Sequence, residues 1–150
     1  MSQLGISIPK SNFNLIGTMY KDIIIEIRRG SNENLPGYNT DVISIVSKVI
    51  VFDDMSKLYC KEFVNADQEL EAYWYDWSDS NGRMIMKFHA HFHPDETDPA
   101  IRKFDPFHLH KRAFATDDNC TKREVDTEYR ELANVLIFIK DFKYARQHYT

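Results

Sequence analysis

The sequence predicts an α+β fold, in which an antiparallel β-sheet of about four strands (a meander) is packed against an N-terminal and a C-terminal helix. Three observations support this class. Asn81-Gly82, a dipeptide typical of tight hairpin turns, lies between two runs of alternating side chains. A second pair of strand-like runs lies earlier in the chain. Apolar residues at helical spacing flank these runs on both sides.

One domain is expected to account for residues 1–150, since a chain of this length can bury a core without disulfides or metal. Apolar residues make up 43% and charged residues 28% of the sequence, as is usual for a globular protein. Cys60 and Cys120 match no metal-binding or redox spacing, and no signal-peptide pattern opens the chain. The longest apolar stretches are too short to cross a bilayer. We therefore expect a cytoplasmic protein without membrane contact.

The N-terminal part is predicted to contain one helix. Residues 1–12 show little periodicity and are expected to be extended or loose. Over residues 13–29, apolar side chains recur at the spacing of an amphipathic helix, at Leu15, Ile16, Met19, Tyr20, Ile23, Ile24 and Ile27. The β-branched run at 23–25 works against this helix. Residues 30–40 are rich in Gly, Asn, Pro and Ser and predict a loop.

Two hairpins are predicted in the middle of the chain. The runs 42–52 and 57–64 are β-branched or alternating, and residues 53–56 between them predict a turn. With the hairpin around Asn81-Gly82, these strands form a four-stranded antiparallel meander. The prolines that follow His93 must leave the sheet, because proline cannot donate to a strand ladder. The chain beyond them is expected to fold back over the strand that carries the histidines.

The second hairpin is predicted to have one apolar and one cationic face, since side chains alternate along a strand. With Asn81-Gly82 as a two-residue turn, Ser80 faces Arg83 and Trp74 lies opposite His89. The apolar face then holds Tyr73, Tyr75, Trp77, Met84, Met86, Phe88 and Ala90. The other face holds Arg83, Lys87, His89, His91 and His93, opposed by Ala72, Trp74 and Asp76. For Asp76 we favour an ion pair with Lys87 over the orientation of a histidine.

A C-terminal helix is predicted after Thr121. Thr121-Lys122-Arg123-Glu124 has the form of a capping box, in which the two end residues satisfy each other's backbone N–H groups. An apolar stripe at helical spacing follows, at Val125, Tyr129, Leu132, Leu136, Ile139 and Phe142. This stripe is expected to pack the helix on the sheet.

Charge is unevenly distributed along the chain. The formal net charge of −4 argues against indiscriminate binding of nucleic acid. Residues 83–112 contain six Lys or Arg and four Asp or Glu, so this segment carries +2 and the remainder, by subtraction, −6. The segment is compatible with binding a phosphate chain at one place, and equally with an uneven surface that has no function.

Three motifs in order resemble the TumE-like toxin family of type II toxin-antitoxin systems. Lys61-Glu62-Phe63-Val64 is similar to a strand end in that family, Tyr73-Trp74-Tyr75 to its Tyr-x-Tyr motif, and Asp79-Ser80-Asn81-Gly82-Arg83 to its Asp-x-Asn/Asp-Gly-Arg turn. The resemblance covers residues 58–139. The family's Asp-Asn-Ala-Pro-His segment is replaced here by His89-Ala90-His91-Phe92-His93, in which only His93 matches.

The resemblance implies a small toxin that a partner antitoxin neutralises. Such an antitoxin usually carries a helix-turn-helix DNA-binding domain. His108 and His110 lie in register with a second histidine segment of the family. A homo-oligomer is compatible with the sequence.

Five of the six histidines lie between residues 73 and 111, and three explanations compete for them. The one that we favour is a metal-independent endoribonuclease, in which histidines act as base and acid on an RNA phosphate. Its catalytic candidates are His91, His93, His108, His110 and Lys87, and its substrate-binding candidates are Arg83, His89, Lys111, Arg112 and Trp74. The reaction requires His108 and His110 to lie within about 10 Å of His91 and His93.

The two alternatives give the histidines other roles. His-x-His on a strand places two imidazoles on one face about 7 Å apart. Two such segments could supply ligands to zinc or another divalent metal, as in a metal-dependent nuclease. In the third explanation the imidazoles hydrogen-bond a long loop to the sheet, and the protein is a non-catalytic toxin that acts by binding. For Trp74, packing on the sheet is favoured over base stacking.

Overall fold

The computed structural model describes residues 2–31 and 41–149, in which seven antiparallel strands form one sheet in chain order. The strands are β1 (Ile24–Arg29), β2 (Ser44–Phe52), β3 (Lys57–Val64), β4 (Leu70–Ser78), β5 (Met84–Ala90), β6 (Phe107–Lys111) and β7 (Lys122–Val125). The helices in these residues are α1 (Phe13–Met19), α2 (Pro99–Arg102) and α3 (Leu132–Tyr149). The predicted α+β class is confirmed, but the predicted number of about four strands is wrong.

Strands β2 to β5 form the predicted meander, whereas β1 comes from a segment predicted as helix. The helix predicted over residues 13–29 ends at Met19, and the Tyr20 N–H donates to Ile16 O at 3.0 Å to close it. The β-branched residues beyond it pair with β2. Apolar spacing fits either structure here, and the β propensity of the isoleucine run favours the strand. Of the predicted loop at 30–40, residues 32–40 lie outside the described residues.

Strands β4 and β5 pair in the predicted register, although the turn between them differs from the prediction. Trp74 pairs with His89. The turn has three residues and not two, because the Asp79 N–H donates to Arg83 O at 2.8 Å. Gly82 takes the positive φ of 82° that this turn requires. A bulge next to Trp77 absorbs the extra residue and restores the register beyond it.

Helices α1 and α3 pack on one face of the sheet and close the hydrophobic core. The predicted apolar face is buried there, except that Met84 is only half-buried next to the bulge. From α3, the buried side chains are Leu132, Val135, Leu136 and Ile139. The ring of Phe138 meets Phe88 edge-on, with centroids 6.0 Å apart. The predicted packing of a C-terminal helix on the sheet is therefore confirmed.

The predicted start of that helix is wrong, because residues 122–125 form β7 and pair with β6. Strand pairing satisfies the backbone N–H groups that a capping box would otherwise satisfy. A turn around Asp126 follows, in which its Oδ1 accepts the N–H groups of Glu128 at 3.0 Å and Tyr129 at 2.7 Å. Helix α3 begins only at Leu132.

The N-terminal segment lies along the connection between β3 and β4 and is not loose. Leu4 and Ile8 are buried in the core. The Leu70 N–H donates to Ile8 O at 2.8 Å, and the Ser2 hydroxyl donates to Leu70 O at 2.5 Å. Residues that show no periodicity in the sequence thus contribute to the core through single apolar side chains.

The chain that leaves β5 returns as β6 at the side of β5, and not over its face as predicted. The His91 N–H donates to Pro106 O at 3.0 Å, which guides the return. Strand β6 then pairs with β5 so that His108 lies opposite His89. None of the helices in residues 2–31 and 41–149 combines the length and the apolar character that crossing a membrane requires.

Candidate histidine site

The sheet face that points away from α1 and α3 carries the histidines. The side chains that alternate there with core residues of β4, β5 and β6 are Trp74, Asp76, Lys87, His89, His108 and His110. Strand β7 adds Arg123, which pairs with His110. We call this surface the histidine face.

Five imidazoles form one continuous group of contacting rings at this face, here called the imidazole cluster: His89, His91, His93, His108 and His110. Seven pairs of their ring centroids are 4.5–5.5 Å apart. His108 lies at the centre, 4.8 Å from His91, 5.4 Å from His93 and 5.0 Å from His110. The predicted proximity of the two histidine segments is therefore confirmed for His108.

Two rings of the cluster are held by carboxylates. His89 Nε2 lies 2.6 Å from Asp76 Oδ1, and His93 Nδ1 lies 2.6 Å from Asp105 Oδ1. An ionised carboxylate only accepts hydrogen bonds, so each of these ring nitrogens is the donor. Asp76 thus orients a histidine, and the ion pair with Lys87 that we favoured from the sequence is wrong. Asp105 is missed in the sequence, where an Asp-Pro dipeptide ahead of the second histidine segment is its only signal.

Two further rings are held by backbone carbonyls. His108 Nδ1 donates to Pro106 O at 3.0 Å, and His91 Nδ1 donates to Phe92 O at 3.3 Å. These contacts leave Nε2 of each ring free to accept a proton or bind a cation. Nε2 of His108 is buried and has no hydrogen-bond partner.

Three imidazoles of the cluster are uncharged at neutral pH. Burial, and then the neighbouring histidines, lower the pKa of His108 to about 2. Burial, and then His89, lower the pKa of His91 to about 3. The pKa of His110 is also lowered to about 3, by burial first and then by His89, Arg123 and Lys87. A neutral ring can accept a proton or ligate a metal, but it cannot donate a proton as an imidazolium does.

The cations of the histidine face lie next to His110. Lys87 pairs with His110 from β5, and Arg123 pairs with it from β7. Arg123 is missed in the sequence because its segment is interpreted as a helix cap; the alternation of Lys122-Arg123-Glu124-Val125 is the signal for a strand. This end of the face can attract a phosphate group.

The structure does not bring Arg83 and Arg112 to the imidazole cluster. Arg83 forms an ion pair with Asp118 at 2.7 Å and donates to Thr116 O at 2.8 Å. Arg112 Nε donates to Met84 O at 2.6 Å. Both arginines lie at the turn end of the β4–β5 hairpin, where Arg83 is six residues and so about 20 Å along the strand from His89.

Lys111 also lies away from the cluster, on the helix-bearing side of the sheet. It alternates with His110 along β6 and pairs with the core residue Met86. Its Nζ lies 2.8 Å from Glu124 Oε2. Of the predicted substrate-binding residues, His89 and Trp74 therefore remain at the site.

Trp74 packs against the cluster, as favoured from the sequence. Its ring stacks on His91 with centroids 4.7 Å apart and an interplanar angle of 21°. A groove of about 220 Å³ adjoins it and is lined in part by Tyr59, Lys61 and Asp76. A flat group that entered this groove would lie next to the cluster.

The fold and the site define a class: an α+β protein whose antiparallel sheet is covered by helices on one face and carries a histidine cluster on the other. The model of a family described as "Toxin TumE" matches residues 19–143. The chain therefore belongs to the TumE toxin family, as its motifs indicate. Membership suggests a toxin of a toxin-antitoxin system and, in general, an antitoxin partner. No curated protein and no solved structure matches the chain.

Proposed function

We propose that this protein is the toxin of a type II system and that it cleaves RNA at the imidazole cluster. One observation carries the proposal: five imidazoles in contact, two of them held by carboxylates, lie next to the cations Lys87 and Arg123. An acid, a base and a cation near one phosphate are the requirements for cleavage of an RNA chain by its own 2′-hydroxyl.

The chemistry assigns different roles to the two ends of the cluster. His110 is neutral and lies between Lys87 and Arg123, which would bind the phosphate. The negative charge of the bound phosphate would offset these cations and raise the pKa of His110, so that this ring can accept the proton of the 2′-hydroxyl. Asp105 holds Nδ1 of His93, which leaves Nε2 of this ring as the nitrogen that would protonate the departing 5′-oxygen. The products are a 2′,3′-cyclic phosphate and a 5′-hydroxyl.

The partners follow from the same proposal. RNA bases would stack near Trp74, in the groove on the histidine face. We place the protein in the cytoplasm, where RNA is available, and we expect an antitoxin with a helix-turn-helix DNA-binding domain.

Expression in a host cell tests the proposal. The wild type should arrest growth and degrade RNA, and His93→Ala should lower the cleavage rate of purified protein by about 10²- to 10⁴-fold, the usual contribution of a general acid. Lys87→Ala should also weaken cleavage. The matched control is Lys111→Ala, which removes a lysine from the opposite face of the neighbouring strand and should leave cleavage unchanged.

A second function is favoured by a specific observation: the rings of His93 and His108 also tie down the 91–106 connection through Asp105 and Pro106. A toxin that acts only by binding would use the histidines in this way. Growth arrest without RNA degradation, retained in both His93→Ala and Lys87→Ala, would establish this binding function in place of the nuclease.

A further inference from the structure

Three rings of the cluster offer nitrogens close enough to share a ligand. One ring nitrogen of each of His89, His91 and His108 lies within 4.8 Å of the others. Nitrogens bound to one tetrahedral zinc ion at about 2.1 Å lie about 3.4 Å apart. Small rotations of the three rings would therefore bring the nitrogens to a common ion.

The hydrogen bonds of these rings prepare them as ligands. Each ring donates one N–H to an oxygen: His89 to Asp76, His91 to Phe92 and His108 to Pro106. Metal-bound histidines almost always have such an acceptor on the second nitrogen, because it fixes the tautomer and the ring orientation. The Asp76–His89 pair has the arrangement of a carboxylate–histidine–metal triad.

The free nitrogens of two of these rings are buried without a partner. His89 is 8% exposed and His108 is 1% exposed, yet His89 Nδ1 and His108 Nε2 make no hydrogen bond. A buried polar atom without a partner costs about 1–3 kcal/mol. A bound cation would satisfy both atoms at once.

We propose that His89, His91 and His108 bind a divalent transition-metal ion, of which zinc is the best match to three imidazole nitrogens. Three protein ligands leave a fourth position open for water or for a phosphate oxygen. The site then has the composition of a catalytic zinc site and not of a closed structural one.

The cations on the histidine face are compatible with this ion. Lys87 and Arg123 pair with His110, which is outside the ligand set. Two carboxylates, Asp76 and Asp105, contact the cluster. Positive charge is therefore concentrated at one end of the cluster and negative charge is distributed around it, an arrangement that suits a metal ion next to a phosphate.

Zinc binding itself is independent of cleavage, whereas a role of the ion in cleavage rests on the proposed function. Such a role would replace the metal-independent reaction that we favoured from the sequence. The ion would hold the phosphate or polarise it from the open position, while His93 and His110 transfer protons.

Isothermal titration of Zn²⁺ into the full-length, chelator-stripped protein tests the site. We expect one ion per chain. His89→Gln and His91→Gln should each weaken binding by more than about 100-fold, since loss of an outer partner alone costs about 10- to 100-fold. Asp76→Asn, which removes such an outer partner, should weaken zinc binding by about 10- to 100-fold. Circular dichroism of each variant shows that it is folded.

The matched control is His110→Gln, because His110 contacts His89 with centroids 4.7 Å apart but is not a proposed ligand. The zinc affinity of His110→Gln should be within about threefold of that of the wild type. A loss of affinity as large as that of His91→Gln would overturn the assignment of the ligands. A wild type that binds no zinc would also overturn it. Isothermal titration measures the binding of zinc and not the cleavage of RNA. A protein that binds zinc but leaves RNA intact overturns the proposed function and supports the metal site, and one that cleaves RNA but binds no zinc does the reverse.

Discussion

At the scale of single residues, one hydrogen-bonded group explains two of the motifs that resemble the toxin family. Glu62, from the strand-end motif, is 0% exposed, and its Oε2 accepts the hydroxyl of Tyr75 from the Tyr-x-Tyr motif at 2.5 Å. The same carboxylate accepts the Ser11 hydroxyl, and its Oε1 accepts the Ser11 N–H at 2.9 Å. Through Glu62 and Tyr75 these motifs therefore hold the N-terminal segment to the core side of the sheet, whereas Trp74, between the two tyrosines, lies on the histidine face.

Tyr75→Phe tests this structural role. It removes one donor from a fully buried carboxylate, which should lower the free energy of unfolding by about 1–3 kcal/mol. Urea denaturation measures the change. Tyr59→Phe is the control, because Tyr59 is 44% exposed on the opposite face of β3 and should shift stability by less than about 0.5 kcal/mol. RNA cleavage should be unchanged in Tyr75→Phe; a loss of cleavage in this variant at unchanged stability would contradict the structural role.

At the scale of elements, α3 is fastened to the β2–β3 hairpin by a buried lysine. Lys143 Nζ lies 2.6 Å from Asp53 Oδ1 and 3.0 Å from Asp54 Oδ2, and its side chain is only 5% exposed. The two carboxylates lie in the turn predicted at residues 53–56. This contact fixes the far end of α3 relative to the sheet.

Lys143→Met should lower the free energy of unfolding by about 1–3 kcal/mol. This decrease is smaller than the one expected when a fully buried ion pair is broken, because both aspartates keep about 40% of their side-chain surface exposed. Lys140→Met is the control on the same helix: Lys140 pairs with Asp22 at the surface, and its loss should leave the urea midpoint nearly unchanged. Equal midpoints for the two variants would show that Lys143 does not anchor the helix.

The elements also show where the sequence predicts the fold and where it does not. Alternation and turn residues are local signals, and they predict β2 to β5 and the pairing of Trp74 with His89. The edge strands β1 and β7 exist because a neighbouring strand offers its hydrogen bonds. Residues 23–29 and 122–125 carry patterns that also fit a helix or its cap, so only tertiary pairing decides between the two structures.

For the candidate site too, local sequence patterns predict one part and tertiary pairing decides the rest. The two histidine segments are visible in the sequence and lie close together as expected, but they do so because β6 pairs beside β5 and not because a loop covers its face. The partners Asp105 and Arg123 are not recognised, since each is placed by a segment whose path depends on the completed sheet. Arg83 and Arg112 lie away from the cluster for a related reason: Thr116 O and Ala115 O, in a loop that has no periodic pattern, accept hydrogen bonds from them.

At the scale of the whole molecule, the imidazole cluster makes the stability of the metal-free protein depend on pH. The rings of His89, His91, His93 and His110 face His108 from β5, the segment after it and β6, and Arg123 lies on the adjacent strand β7. Burial first, and then the four neighbouring histidines, hold the pKa of His108 at about 2, against 6.5 in an unfolded chain. Below pH 6.5 the unfolded chain therefore binds a proton that the folded chain does not.

The folded protein therefore loses stability as the pH falls from 6.5 towards 2, because protons bind the histidine of the unfolded chain and favour that state. His108 alone should contribute a loss of about 1.4 kcal/mol per pH unit in this range, and His91 and His110 should add to it in the same direction. Urea midpoints in the presence of chelator at pH 7.5, 6.5 and 5.5 measure the slope. His108→Gln should flatten it, and saturating zinc should raise every midpoint, since the ion binds the folded state. A wild type that is equally stable at pH 7.5 and 5.5 without metal would show that these rings are open to water and bind protons as they do in the unfolded chain, and it would remove the basis for neutral ligands at His91 and His108.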